Sequence, residues 1–252
     1  MKIQYISDLH LEFKSHHILD KIGDCDSDVL VIAGDLHTSR GILNSLDLVY
    51  NKVQKHIVFV PGNHCYYHSQ KFHVDSLLRE KYTGHPYIHV LNNSTWEHDD
   101  VVFIGSTGWW TQLEAKNVIQ YMNDYVYIHD LIPANYGLDW GNKSSIFLTS
   151  TMNEYSYDFK KKWKMIVVTH NAPTYHSIDE EFANSILNPC FANHWEYMIY
   201  LYKPTVWIHG HIHGSKEHIL DNTLILCNPY GYESVSGNSL NKFFDAHKTV
   251  VI

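Results

Sequence analysis

Little in this sequence speaks for a membrane, a secreted fold or a nucleic-acid track. No uninterrupted apolar run approaches the roughly 18 residues that a transmembrane helix needs. The opening Met1-Lys2-Ile3-Gln4-Tyr5 runs straight into a strand pattern, without the charged leader, apolar stretch and cleavage site of a signal peptide. Cysteine is sparse: Cys25, Cys65, Cys190 and Cys227 are scattered and make no C-x-x-C pair, which agrees with buried thiols in a cytoplasmic protein. Positive charge is also short, with a net charge of -8 and a pI of about 6.2. That argues against an extended nucleic-acid surface, which needs clustered Lys and Arg, but not against a small anionic substrate. No repeat, linker or low-complexity stretch divides the chain.

What is present suits a single α/β domain over residues 1–252, with 44% hydrophobic and 14% aromatic residues to build a core. Short apolar, β-prone runs occur at Ile3 to Ile6, Val29 to Ala33, Ile57 to Val60, Met165 to Val168 and Thr205 to Ile208. Further strands are expected at Tyr87 to Asn92, Ser94 to His98 and Val101 to Gly105, in antiparallel style, and at Thr223 to Leu226 and Thr249 to Ile252. Ile42, Leu43, Leu46, Val49 and Val53 recur at helical spacing, predicting a helix over Gly41 to Lys55, and Ser69 to Lys81 reads as a second. Residues 109–163 read as a helical insert near the site, a candidate lid or specificity wall, with Lys160-Lys161-Lys162 as a solvated helix end. The pattern is that of two sheets with flanking helices.

Each of the five apolar runs first named is followed by a polar motif: Asp8-Leu9-His10, Gly34-Asp35, Gly62-Asn63-His64, Thr169-His170 and Gly210-His211-Ile212-His213. With 20 histidines in the chain, any one His after a strand is ordinary. The ordered set carries the weight, because ligands gather at the carboxyl ends of strands in α/β sheets. Oxygen and imidazole donors together suit borderline divalent metals. Asp8 and His10 alternate and can grip one ion, and Asp35 can bridge a pair. Asn63 offers an amide oxygen to the second ion and an NH2 to an incoming phosphate oxygen. His170, His211 and His213 complete the shells, the last two lying on one side if the chain there is extended. Two such ions suit attack by an activated water on phosphorus. His64 is then the candidate general acid, protonating the leaving group.

These motifs resemble the calcineurin-like metallophosphoesterase superfamily, whose pattern D-x-H, G-D, G-N-H, a lone His and G-H-x-H is matched in order. Similarity is closest to small bacterial and phage-type members, through Ser7 to Phe13 (SDLHLEF), Gly62 to Tyr67, Phe103 to Trp110, Met122 to Tyr125, Leu187 to Ala192 and Cys227 to Tyr232. The resemblance implies a four-layer αββα sandwich of two mixed sheets flanked by helices, and a binuclear centre. It gives Asp8, His10, Asp35 and His213 to one metal, and Asp35, Asn63, His170 and His211 to the other, with His64 as proton donor. Manganese is the first candidate, with iron, zinc and nickel as alternatives.

One position departs from the pattern: Cys65 stands where an acid usually follows G-N-H, leaving the orientation of His64 unassigned. A thiol beside metals is also open to thiolate character and oxidation. For the substrate, the candidates are His37, Arg40, Tyr66 and Tyr67, each just beyond a ligand motif; Arg40 could clamp a phosphate and the tyrosines could stack on a base or simply pack. The expected function is a phosphodiesterase on a small, nucleotide-like phosphate ester. The alternatives are a broad phosphomonoesterase or protein phosphatase, a nuclease, or a non-catalytic scaffold on the same fold.

Overall fold

Alternation along the strands dictates the layers. A computed structural model describes residues 1–13, 17–131, 135–234 and 238–252. In β1 (Lys2–Ile6) and β2 (Val29–Ala33), Ile3, Tyr5, Val29, Val31 and Ala33 enter one core, while Ile6, Leu30 and Ile32 enter another. Such strands are buried on both faces, which is why they read as continuous apolar runs rather than as alternating ones. The same holds for β3 (His56–Val60), where Val58 and Val60 point inward and Ile57 and Phe59 outward.

The first sheet has the order β11-β1-β2-β3-β4, with β4 (Ile88–Val90) parallel to β3 and β11 (Thr249–Val251) antiparallel to β1. The second contains β5 (Ser94–His98), β6 (Val101–Ser106), β7 (Lys164–Thr169), β8 (Val206–His209), β9 (Lys216–Leu220) and β10 (Thr223–Cys227). Its order is β5-β6-β7-β8-β10-β9, parallel in the middle with antiparallel edges. The inner core joins the sheets, with Phe103, Ile166, Val168, Val206, Ile208 and Leu226 facing the first. Outside the first sheet pack α1 (Ile18–Gly23), α2 (Ile42–Val53) and α3 (Lys71–Tyr82). The short helices α4 (Ala115–Val118) and α5 (Asn123–Tyr127) follow, then α6 (Asn135–Ser156), α7 (Asn188–Phe191) and α8 (Glu196–Tyr202). Of these, α6 and α8 cover the second sheet through Leu148, Met152, Met198 and Ile199. The result is an αββα sandwich. Among the described residues no helix is long and apolar enough to cross a membrane.

Several local expectations change. The strand near Tyr87 pairs in parallel, because α3 carries the chain back across the sheet before it. Neither α1, only six residues long, nor β9, whose exposed edge residues form no apolar run, is marked by the sequence pattern. The lysine run lies beyond the end of α6 at Ser156, in a turn where Lys161 Nζ sits 3.3 Å from the centre of the Trp163 ring.

Candidate metal centre

The five motifs meet where the carboxyl ends of β1, β2, β3, β7 and β8 converge between the sheets. Three of them do so through left-handed backbone, not extended chain. Asp8, His10, Asp35, His211 and His213 have φ of 53°, 45°, 50°, 71° and 52°. Conformations of this kind cost non-glycine residues of order 1–3 kcal/mol each and persist only where the surroundings impose them. The expectation that His211 and His213 share a side through an extended segment is therefore corrected: two left-handed residues turn the chain so that both rings face inward. The turns are pinned by backbone bonds, His10 N–H to Asp35 O at 3.0 Å, Asp8 N–H to Gly34 O at 3.1 Å and Gly231 N–H to Asp8 O at 2.9 Å. Gly34, at φ 93°, and Gly62 are needed for close approach, since a Cβ on either would collide with His170 or Asp35.

Three sets of potential ligand atoms lie within 4.8 Å of one another: Asp8, His10 and His213; His10, Asp35 and His64; and Asp35, His170 and His211. Asp35 belongs to two of them and stands between the sheets. Its Oδ2 is 3.3 Å from His170 Nε2 and 4.0 Å from His10 Nε2, while its Oδ1 accepts from the His64 N–H at 2.9 Å. His213 Nε2 reaches Asp8 Oδ1 at 3.4 Å and His10 Nε2 at 3.2 Å.

The donor chemistry fits a pair of divalent cations. His170 has its Nδ1 2.9 Å from the Ala33 carbonyl oxygen, so that nitrogen donates and Nε2 is left aimed at Asn63 Oδ1, 2.9 Å away, and at Asp35. A ring nitrogen facing two acceptors requires a positive charge between them, either a proton or a metal ion. Burial opposes a proton on His170, but Asp35 outweighs it and raises the imidazole to about 9. His211 Nε2 is fully buried without a hydrogen-bond partner, and burial holds this ring down to about 3, with its lone pair free. Burial would raise Asp8 and Asp35, yet the surrounding histidines hold both well below the usual carboxylate range.

Two carboxylates unmarked by the sequence reading orient this set. Glu12 Oε1 lies 3.2 Å from both His10 Nδ1 and His64 Nδ1, and despite burial these contacts bring its carboxyl down to about 2. Glu12 thus places a carboxylate beside His64 Nδ1, where Cys65 offers none. Asp124 is buried, which raises its carboxyl. Its Oδ1 accepts from Asn63 Nδ2 at 2.7 Å and from the Tyr67 hydroxyl at 2.6 Å. Asn63 thus has its oxygen toward His170 at 2.9 Å, and at least one hydrogen of its NH2 goes to Asp124 rather than toward a phosphate. Both acids lie inside quoted motifs, SDLHLEF and MNDY. Cys65 is likewise corrected: it is fully buried and accepts from the Gly62 N–H at 3.4 Å, and burial pushes its thiol up, away from thiolate.

A cavity of about 550 Å³ opens on the cluster, and Asp35, Asn63, His64, His211 and His213 line it. Burial would lower His64, but Asp35 and Glu12 outweigh it and raise the ring, which stacks on Tyr67 at 4.1 Å. Of the four substrate candidates only Tyr67 reaches this cavity. Tyr66 is buried, donating to Asp75 at 3.0 Å; His37 has its Nδ1 3.0 Å from the Thr38 carbonyl; Arg40 is exposed elsewhere. Tyr232, also unmarked, packs 4.9 Å from His10 and 4.7 Å from His213 and lines the cavity. Trp109 and Trp110 are core residues. His209, given no role from the sequence, is buried with Nδ1 3.0 Å from the Gly210 carbonyl, outside all three ligand sets.

Known proteins share this arrangement of chain. The uncharacterized protein L509 of Acanthamoeba polyphaga mimivirus is 29% identical over 94% of this chain and 93% of its own. Among solved structures, the phosphopantetheinyl hydrolase PptH of Mycobacterium tuberculosis matches with a TM-score of 0.70 at 13% identity, over 92% of this chain and 89% of that one. TT1561 of Thermus thermophilus matches at 0.59 and 12% identity, over 90% and 88%. Identities this low speak for the fold alone. The family model of the calcineurin-like phosphoesterases matches residues 1–215, and the chain belongs to that family.

Proposed function

We propose that this protein hydrolyses phosphodiesters of small, nucleotide-like molecules at a centre of two divalent cations. The observation that carries the reading is the sharing of Asp35 between donor sets from the two sheets. Asp8, His10, Asp35 and His213 would hold one cation, and Asp35, Asn63, His170 and His211 the other. Mixed oxygen and imidazole donors suit manganese, iron, zinc or nickel. When bound, such a pair activates water for attack on phosphorus and offsets the charge that develops.

The chain's own residues do the rest. His64, held through Nδ1 by Glu12 and against the face of Tyr67, keeps Nε2 for the leaving-group oxygen and donates the proton it needs. Asp124 fixes the amide of Asn63. Among the described residues lining the cavity there is no Lys or Arg to meet the second negative charge of a monoester, which favours a diester. The test is hydrolysis of a chromogenic monoester and a chromogenic diester by chelated protein refilled with each metal. Metal-restored diester cleavage is expected; turnover of the monoester alone would contradict the diester assignment.

A further inference from the structure

The cavity has two unlike walls. Facing the donor cluster, the short stretch 121–123 and the segment 178–191 between β7 and α8 present Met122, Ile178, Phe182, Leu187 and Phe191, and Ile212 adds to them from the His211–His213 turn. The volume suits a small molecule rather than a protein segment. Phe182 is 54% exposed and Tyr121 67% exposed although both line the cavity, so large ring surfaces stand in water at its rim. Asn123, Ser185 and Asn188 add neutral polar groups from the same segments, and the one acid on this wall, Asp179, is paired with Lys216 at 2.6 Å. No Lys or Arg among the described residues lines either wall.

We propose that this wall receives the uncharged, apolar or aromatic part of a substrate carrying a single phosphoryl group, and that it rejects a second anionic group there. The inference rests on the phosphoesterase reading, which places the phosphoryl group at the donor cluster, and adds the chemistry of what is attached to it. Each methylene moved from water onto such a wall strengthens binding roughly fourfold when fully buried. A carboxylate or second phosphate would lose its water and find nearby only Lys216, already paired with Asp179. Substrates with two or more phosphates in a row are therefore the wrong class, and singly phosphorylated molecules with a neutral apolar or aromatic group the right one.

The test reads binding, not turnover. Metal-loaded protein is titrated calorimetrically with the P-monomethyl esters of methyl-, propyl-, hexyl- and carboxyethylphosphonate, which share one singly charged head group, as a diester does. Hexylphosphonate is expected to bind at least about tenfold tighter than methylphosphonate, and carboxyethylphosphonate at least about tenfold weaker than propylphosphonate, which has a methyl in place of the carboxylate. Phe182→Arg, a change at an exposed position, should shrink the propyl-over-carboxyethyl preference several-fold. Equal affinities, or tighter binding of the carboxylate, would overturn the inference. If the order holds but no ester is hydrolysed, the enzymatic reading fails and the apolar pocket stands. Ester hydrolysis with a flat order means the reverse, and neither binding nor hydrolysis overturns both.

Discussion

Histidine gathers at both ends of this sandwich, and the two gatherings differ in their neighbours. At the carboxyl ends of the strands, His10, His64, His170, His211 and His213 stand among Asp8, Glu12 and Asp35. Toward the amino ends of β3 and β6, His56, His89 and His98 stand around Trp96, with His56 Nδ1 and His89 Nε2 3.1 Å apart. The only carboxylate contact there, among the described residues, is a 4.0 Å approach of His98 to exposed Asp99. Their protonation divides accordingly. Burial works against charge at both ends; at the first the carboxylates win at His64 and His170 and raise both, while burial still lowers His211 to about 3. At the second burial wins, lowering His56 and taking His89 down to about 4. The partner, not the histidine, decides which cluster can collect cations.

The largest effect expected from this contrast is at Asp35. Asp35→Ala should lower kcat/KM for a diester by at least about 10³-fold, since charge stabilisation at the reacting group is lost with the shared ligand. His89→Gln, remote from that centre, should change it by less than about twofold. Equal losses from the two substitutions would erase the distinction. His64→Ala comes next, with kcat expected to fall about 10²–10⁴-fold while bound metal is retained; unchanged kcat would remove His64 as the acid. Glu12→Ala should cost about 10–100-fold in activity or metal affinity, with Glu12→Gln recovering part of it, because it orients His10 and His64 without facing the substrate.

The smallest effect belongs to the second cluster and is read in stability. His89 titrates near 4 in the folded chain against an ordinary value of 6.5, so the folded state binds fewer protons than the unfolded state between those values. Its contribution is full above about pH 6.5 and is lost as the pH falls toward 4. Urea denaturation across that window should show a shallower pH slope for His89→Gln; an unaltered slope would contradict the assignment.

The ligand motifs were legible because each sits directly after a strand buried on both faces, so position and chemistry coincide in the chain. Glu12 and Asp124 were harder to read. They act on His64 and Asn63 across 52 and 61 residues of sequence, and only the fold makes them neighbours. The left-handed turns at Asp8, His10, Asp35, His211 and His213 were hidden for another reason: no glycine marks those positions, and tertiary contacts impose the conformation. Arg40 follows Asp35 closely in sequence, but it sits in the exposed turn that leads into α2, outside the cavity lining. The apolar wall draws its residues from three separate segments, none periodic enough to stand out.

The central claim, that loops from two sheets build one centre for two ions around Asp35, is tested most directly by native mass spectrometry of the chelated chain refilled with manganese. Two ions per chain are expected, with occupancy collapsing in Asp35→Ala and unaffected in His89→Gln. No bound ion, or two ions held equally well without Asp35, would contradict it.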